Sequence, residues 1–295
     1  MPQSGKRGRL NMKPIKIMTD TASDITLEIA EKYGIELLPI NISFGDTQYK
    51  DRYDISAEEF FKMLESAEEL PKTAQITVSE HYDGFKKYSD DFTIIYCPIS
   101  AKGSGTAQSA NMAKQMIEEE NPDADIRIAQ CNTFTYGYGL WIIEAAKMVE
   151  NGANADEIVA MLNKNIADTE IIFAVEDLKY LRKGGRISPA ANILANVLDI
   201  KPILTIDDGL VTGKDKVRGS KKLFKKLLDI LVQDAREDYD QTIVILHGMV
   251  PDKAEILKNQ LLENTPFKNT VTIEVGPTIG VHTGPSVIAY AFLKK

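Results

Sequence analysis

The sequence has few cysteines that could form disulfides and no long apolar segment. Cys97 and Cys131 are its only cysteines in 295 residues, which argues against a disulfide framework and favours the cytoplasm. Both follow apolar strand patterns, so we expect them to be small core residues. No apolar run is long enough to cross a bilayer. Residues 1–13 are basic and polar without the apolar core of a signal peptide, and we predict that they form a disordered extension.

Composition and charge narrow the class of protein further. The net charge is −8, with 43% hydrophobic and 26% charged residues, an ordinary balance for a soluble globular protein. Because nucleic acid binding needs a cationic surface, we expect no nucleic acid partner. A chain of this length can form two domains with a sizeable core.

The most informative stretch joins an apolar run to a helical pattern. Residues 92–96 predict a buried strand, and apolar residues at helical spacing from Ala107 to Ile117 predict a helix. The segment between them, Ser100–Thr106, is rich in Gly, Ser and Thr. Unpaired N–H groups and the positive end of the helix dipole favour an anion at such a junction. Helix capping alone explains the same residues, because Ser and Thr are preferred N-caps and Gly permits the turn.

Strand and helix patterns alternate along the chain. Strands at 15–18 and 35–38, with a helix between them, follow the βαβ rhythm of a parallel sheet. Similar patterns continue to Val175, and a second unit follows. We predict an α/β fold with two α/β domains. The N-terminal domain, over 14–175, has a mostly parallel sheet flanked by helices, and the C-terminal domain, over 176–295, is a smaller α/β domain.

The second half contains three further local signals. Ser188-Pro189 predicts the start of a helix through Val197, and Asp207-Asp208-Gly209 predicts a hairpin. Seven basic residues lie between Lys214 and Lys226. One interpretation is a solvated amphipathic helix with its leucines facing inward. The alternative is a docking face for an acidic partner or a phosphate.

Several polar residues occupy irregular segments. The Thr73 hydroxyl is free to face a ligand, although a turn uses the same residue type. His282 lies in a Gly/Pro-rich loop before what reads as a final apolar helix to Leu293. A lone loop histidine is more often a surface residue, but glycines and prolines fix the backbone here. No third ligand at metal spacing accompanies Asp20 and Asp24, so we predict no metal site.

Five of these segments together resemble the DegV family, the bacterial fatty-acid-binding proteins that serve fatty acid kinase. The resemblance covers nearly the whole chain from Ile15, and its strength lies in the order and compatible spacing of motifs that are weak singly. The matching segments are Asp20-Thr-Ala-Ser-Asp24, Thr73-Ala-Gln75, Ser104-Gly-Thr-Ala-Gln-Ser-Ala110, Gly184-Gly-Arg-Ile187 and Gly280-x-His282-x-Gly284-Pro285.

The resemblance implies a carrier rather than an enzyme. A long-chain fatty acid would lie buried between or within two α/β domains, and no other cofactor is implied. Its carboxylate would be held by the residues at the family's ligand positions, which here are Thr73, Ser104, Gly105, Thr106 and His282. Lipid exchange would involve transient contact with a membrane surface.

The family's basic positions fall on Arg186 and Arg218, which would serve acyl-phosphate handling and kinase contact. We hypothesise that neutral hydroxyls, rather than an arginine clamp, keep the carboxylate nucleophilic toward the γ-phosphate of ATP. Ala74, Ile76, Gly103 and Ser286 depart from the family pattern, which bears on pocket shape and acyl preference.

Two alternatives belong to other classes of protein. A phosphatase or phosphotransferase could use the loop at Gly103–Thr106, but the chain lacks the P-loop lysine, a Gly-x-Ser-x-Gly elbow and a clustered metal set. A pure interaction module could be built around the basic residues from Lys214 to Lys226.

Overall fold

A parallel sheet forms the centre of the N-terminal half. The computed structural model describes residues 13–188, 200–219 and 222–295. Four strands lie in the order β2-β1-β6-β7, and every neighbouring pair is parallel. They are β1 (Ile15–Asp20), β2 (Glu36–Leu38), β6 (Thr93–Cys97) and β7 (Asp125–Ile128). All of β6 is buried, as parallel strands inside an α/β layer are. The predicted parallel sheet is confirmed.

A small antiparallel sheet carries Thr73. Its strands, in the order β4-β3-β5, are β3 (Asn41–Phe44), β4 (Thr47–Lys50) and β5 (Lys72–Ala74). Thr73 pairs with Ile42 of β3, so the irregular segment predicted around it is wrong. A strand of three residues carries too little periodicity to be recognised from sequence.

Helices of the first half begin at side-chain caps that the sequence encodes. Ser56, Thr77 and Asn154 each form a capping box with a glutamate three residues later, which satisfies N–H groups at the helix start. The helices are α1 (Leu27–Lys32), α2 (Ala57–Ser66), α3 (Val78–Lys86), α4 (Thr106–Glu120), α5 (Tyr136–Glu150) and α6 (Ala155–Asp168). The helix predicted after the Gly/Ser/Thr segment is therefore α4.

A second, six-stranded sheet has the order β10-β9-β8-β13-β11-β12. Its strands are β8 (Thr169–Ala174), β9 (Ile200–Asp207), β10 (Leu210–Arg218), β11 (Ile243–His247), β12 (Thr270–Glu274) and β13 (Ile288–Leu293). The hairpin predicted at 207–209 joins the antiparallel pair β9 and β10. Strand β8 precedes the division we predict at residue 175, yet it pairs with β13 and β9 of this sheet.

Four described helices accompany the second sheet: α7 (Lys179–Gly184), α8 (Leu223–Asp234), α9 (Pro251–Asn264) and α10 (Pro277–Thr283). The predicted final helix to Leu293 is wrong, because this segment is strand β13. Every residue of β13 is buried, so it lacks the alternation that distinguishes a short strand from a helix. His282 lies inside α10 and not in a loop.

The basic stretch is a strand followed by a helix, so the interpretation as an amphipathic helix with inward leucines is confirmed from Leu223 onward and is wrong for the residues up to Arg218. Residues up to Arg218 belong to β10, and α8 begins at Leu223 with Leu227 and Leu231 buried. Lys214 bridges Glu170 and Asp234 at 2.7 and 2.8 Å.

The helix predicted from Ser188-Pro189 to Val197 lies almost wholly outside the described residues. Within the described chain, no helix is long and apolar enough to cross a membrane.

The second sheet buries two different faces. Ile171, Phe173 and Ala289 belong to the core shared with the N-terminal half, whereas Ile172 and Tyr290 belong to a separate core beneath α8 and α9. This alternation is the two-residue period of a strand. It leaves one face of the sheet turned toward the parallel sheet, and the space between them contains the site described next.

Candidate functional site

A largely apolar cavity of about 270 Å³ lies against the inward face of the six-stranded sheet. Strands of that sheet supply much of its wall, and the segments after β6 and around α10 supply most of the remainder. Apolar side chains include Ile99, Phe134, Phe173, Leu181, Leu246 and Ile279. Polar groups gather at one end, where Thr73, Ser104, Arg186 and His282 also line it.

Two residues far apart in sequence meet at this polar end. The Thr73 Oγ1 of β5 lies 3.1 Å from Nε2 of His282 in α10, across 209 positions of chain. Strand β5 holds Thr73 through its pairing with Ile42, and the short α10 presents His282 near its last turn. The structure therefore brings together two of the residues that the family resemblance assigned to one ligand.

The His282 ring is half-buried, and only one of its two nitrogens has a hydrogen-bond partner within the described residues. Burial, and then the positive charge of Arg186, lower the pKa of His282 to about 4, so the ring is neutral at pH 7. Its Nδ1 is buried and has no hydrogen-bond partner within the described residues. Gly184 packs directly on this nitrogen, and a Cβ there would overlap it. A neutral ring offers one N–H donor and one acceptor, and which nitrogen carries the proton depends on the partner.

Ser104 lies just before Gly105, the N-cap of α4, and it both bonds to the first turn of the helix and lines the cavity. Its Oγ accepts a hydrogen bond from the Thr106 N–H at 3.3 Å and lies 2.9 Å from the Thr106 Oγ1. Thr106 is buried and does not line the cavity, so it orients Ser104 and does not face the enclosed space. Contact with the helix start and a place in the cavity wall are thus features of the same serine, and the two interpretations of this loop do not exclude one another.

Gly105 is required by a close approach of Gln75. A side chain at Gly105 would overlap the Gln75 amide oxygen, while the Gln75 Nε2 donates to Ser109 Oγ at 2.9 Å. The Thr73-Ala74-Gln75 motif is therefore joined to the first turn of α4. Gly103 has a comparable reason, because a Cβ there would lie 2.5 Å from the Phe134 ring. The phenyl ring accounts for the glycine at this departure from the family pattern.

Arg186 lies in the cavity wall rather than outside it. Its Nε donates to the Gly103 carbonyl at 2.9 Å and its Nη1 to the Gly184 carbonyl at 2.5 Å. These backbone carbonyls fix the guanidinium between the Ser104 loop and the end of α7. The structure thus adds a cation to the polar end that sequence reasoning assigned to hydroxyls and a histidine.

Arg218 does not lie at the polar end of the cavity. It is exposed at the last position of β10, whereas Val211 near the start of that strand lines the cavity. Seven residues of extended strand separate the two, or about 23 Å. The two arginines assigned together by family resemblance therefore occupy different places.

A second void opens on the other side of the polar cluster. This outer cleft, about 570 Å³, lies between residues 68–72 and helix α7. It shares Thr73, Arg186 and His282 with the inner cavity, and Lys72 and Lys183 line it as well. The shared side chains therefore form a partition between an apolar interior and a charged surface cleft.

A buried group of acids, unassigned by the sequence patterns, holds α10 in place. Asp24 Oδ1 accepts hydrogen bonds from Arg52 Nη2 at 3.0 Å and from the Gly276 N–H at 2.8 Å. Asp51 Oδ2 accepts one from the Thr278 N–H at 3.2 Å. Both carboxylates thus engage the start of the helix that carries His282. Asp51 belongs to none of the five motifs, so only its place beside α10 reveals its role.

Asp20 fixes the loop that follows β6. Its carboxylate accepts hydrogen bonds from the Ile99 N–H at 2.7 Å and the Tyr138 hydroxyl at 2.6 Å. Burial raises the pKa of Asp20 to about 6. The opening motif of the family resemblance is therefore a structural support beneath the cavity.

We expect Asp51→Asn to change how stability depends on pH. Burial raises the pKa of Asp51 to about 6, from an ordinary 3.8. The folded protein then binds the proton more tightly than the unfolded chain, so this carboxyl's contribution to stability is greatest below pH 4 and falls as pH rises toward 6 and above. Relative to Asp51→Asn, the wild-type protein should lose about 2 kcal/mol of unfolding free energy between pH 4 and pH 7. Urea unfolding of both proteins across this range measures it, and a difference independent of pH would contradict it.

The site has the features that suit an anionic head on an apolar body. Hydroxyls, a neutral imidazole, the Arg186 guanidinium and the start of α4 gather at one end, and mostly apolar side chains, both aliphatic and aromatic, line the remainder. A buried anion needs such donors to replace its lost water, and an apolar tail gains from leaving water. The outer cleft gives the anionic end a second face toward solvent.

Comparison with known proteins identifies relatives that match almost end to end. A family model described as "Uncharacterised protein, DegV family" matches residues 14–295. A DegV domain-containing protein of Clostridium perfringens is 33% identical over 282 residues, which cover 95% of this chain and 99% of that protein.

Solved structures of similar proteins share the fold described above. A structure described as showing fatty acid binding of a DegV family protein from Thermus thermophilus has a TM-score of 0.87 at 25% identity, covering 96% of this chain and 100% of the other. A stearic acid-binding protein from Eubacterium ventriosum has a TM-score of 0.85 at 27% identity, covering 95% and 98%. Since the family model spans nearly the whole sequence and the Clostridium perfringens relative aligns over almost its full length, the chain belongs to the DegV family.

Proposed function

We propose that the protein binds a long-chain fatty acid, with its acyl chain in the inner cavity and its carboxylate at the polar end. The observation that carries the proposal is the largely apolar cavity whose wall includes Thr73, Ser104 and His282. Solved relatives described as fatty-acid-binding proteins support it.

The acyl tail supplies most of the affinity in this account. Each buried methylene contributes about 0.8 kcal/mol. Each hydrogen bond to the charged carboxylate contributes about 1.5–3 kcal/mol. The two hydroxyls, one N–H of His282 and the backbone at Gly105 are the donors we assign to the carboxylate. The tail therefore sets how tightly the ligand binds, and these donors set its orientation.

We further propose that the carboxylate is presented to a partner fatty acid kinase through the outer cleft. A carboxylate oxygen attacks the γ-phosphorus of ATP held by the kinase, the bond to the β-phosphate oxygen breaks, and ADP leaves. The acyl phosphate that forms feeds phospholipid synthesis, and loading involves transient contact with a membrane surface. The outer cleft supports this route, because it reaches the same Thr73 and His282 that line the inner cavity.

Arg186 and Arg218 have separate roles in this proposal. Arg186 lines both voids, so its charge lies where a phosphoryl group would approach the carboxylate. Its bonds to two carbonyls leave the carboxylate with hydroxyl and imidazole donors, which keep it nucleophilic. Arg218, exposed at the end of β10, is assigned to kinase contact.

We expect Arg218→Ala to weaken kinase docking while lipid binding is retained. Loss of one interfacial charge should raise the half-saturating concentration of this protein in a kinase assay about tenfold. Lys32→Ala, which removes an exposed charge from α1, is the matched control and should leave the assay unchanged. Equal behaviour of the two variants would contradict the assignment of Arg218, and loss of lipid from Arg218→Ala would contradict the separation of the two roles.

A further inference from the structure

One face of the six-stranded sheet carries two voids in succession. Val287, immediately before β13, and Ala289 within it line the inner cavity, and Ala291 and Leu293 line a small chamber of about 10 Å³. Alternate residues of a strand point to the same face, so these four side chains form one row. The chamber is therefore the continuation of the cavity along the strand direction.

The neighbouring strands repeat this order. On β11, Leu246 lines the cavity and Val244 lines the chamber. On β8, Phe173 and Ile171 line the cavity, while Thr169 lines the chamber. The register pairs Ile171 with Ala291, so the two voids adjoin at the level of Ile171.

The wall between the voids is one side chain thick. Ile171 borders the cavity only, and Gly137 of α5 borders the chamber only. A Cβ placed on Gly137 would lie 2.7 Å from Ile171 Cδ1, so the isoleucine methyl packs against the bare glycine backbone. Beyond it, the Trp141 Nε1 donates to Thr169 Oγ1 at 2.8 Å, which satisfies the polar atoms of the chamber's far side.

The direction of the bound chain follows from the strands. In the sequence, His282 comes shortly before β13. Of the residues in this row, Val287 is the nearest to His282, and Ala291 lies further along β13. Strand β8 runs antiparallel, so its end at Ala174 points toward the polar cluster and Ile171 lies away from it. A carboxylate at His282 therefore directs the terminal methyl toward Ile171.

Resting on the proposed function, we propose that Ile171, packed on Gly137, is the end stop of the acyl cavity and sets the longest chain that the protein accepts. When that stop is truncated, a longer chain extends into the space vacated by the isoleucine side chain and toward the small chamber behind it. Neither residue belongs to the motifs at the polar end, so acyl length is selected independently of carboxylate binding.

The test compares Ile171→Ala with Ile172→Ala. Both truncate the same side chain on the same strand, but Ile172 faces the separate core beneath α8 and α9. Binding of myristate, palmitate, stearate and arachidate is measured by competition against a fluorescent fatty acid. Because each additional buried methylene is worth about fourfold in affinity, Ile171→Ala should raise the arachidate-to-stearate affinity ratio by about fifteenfold. Ile172→Ala should keep the wild-type ratio.

A double variant tests whether a changed affinity ratio comes from the space opened at Ile171 and not from a general loss of packing. Ile171→Ala combined with Ala291→Leu refills the chamber from the neighbouring strand and should restore the wild-type ratio. Thermal unfolding verifies that each protein is folded. If wild-type protein binds none of the four fatty acids, the proposed function fails. If it binds them and Ile171→Ala has the same ratio as Ile172→Ala, the end stop alone is refuted.

Discussion

Ala289→Phe is expected to abolish fatty acid binding while the protein still folds. Ala289 is the second residue of β13, faces the cavity and is flanked in register by Phe173 and Leu246. A phenyl group there would occupy the path of the acyl chain. Displacing about four methylenes removes about 3 kcal/mol of binding free energy, or an affinity loss on the order of 100-fold.

A graded series makes this result specific. Ala289→Val adds less volume and should lower the affinity for palmitate by a smaller factor than Ala289→Phe. Filling an existing cavity with an apolar group does not require the core to expand, so the melting temperature should be retained. Isothermal titration with palmitate and thermal unfolding give the two readouts. Wild-type affinity in a folded Ala289→Phe protein would show that the acyl chain lies elsewhere.

Ser104→Ala is expected to separate binding from phosphorylation. Removing one hydrogen bond to the carboxylate should weaken fatty acid binding by about tenfold, because the tail contributes most of the affinity. Acyl-phosphate formation should fall further, by about 100-fold, since a misplaced nucleophile loses the alignment that the reaction requires. The loop geometry supports this, because Ser104 is oriented by Thr106 from the first turn of α4.

The measurement uses lipid-loaded protein, purified fatty acid kinase and ATP, with product detected as the hydroxamate of the acyl phosphate. Ser79→Ala, an exposed serine in α3, is the matched control and should behave as the wild-type protein does. If Ser104→Ala leaves both the bound lipid and the rate of product formation unchanged, Ser104 does not position the carboxylate.

The central strand-to-helix junction could be predicted from sequence because its signals are local. A buried apolar run, a Gly/Ser/Thr turn and helical spacing from Ala107 occupy one continuous stretch, and the structure has β6 and α4 there. The capping boxes are local in the same way, because Ser56 and Glu59 are only three residues apart and bond to each other. Such interactions need no knowledge of the tertiary fold.

Other features depend on partners that are distant in sequence. The contact between Thr73 and His282 spans 209 positions, and only the ordered family motifs suggested that the two residues share a ligand. The role of Asp51 appears only when α10 is placed beside it. The sequence of β13 predicts a helix, because a fully buried strand shows no alternation. The basic residues of β10 and α8 form one continuous run, which is why the pattern suggests a single helix there.

The most direct test of the account is mass spectrometry of the protein as purified. Denaturing spectra identify any lipid that accompanies the chain, and native spectra give its stoichiometry. The account predicts one fatty acid per chain, with an acyl length limited by the wall at Ile171. An empty protein that also fails to take up added palmitate or oleate would contradict it and would favour a phosphate-binding role for the loop at Ser104.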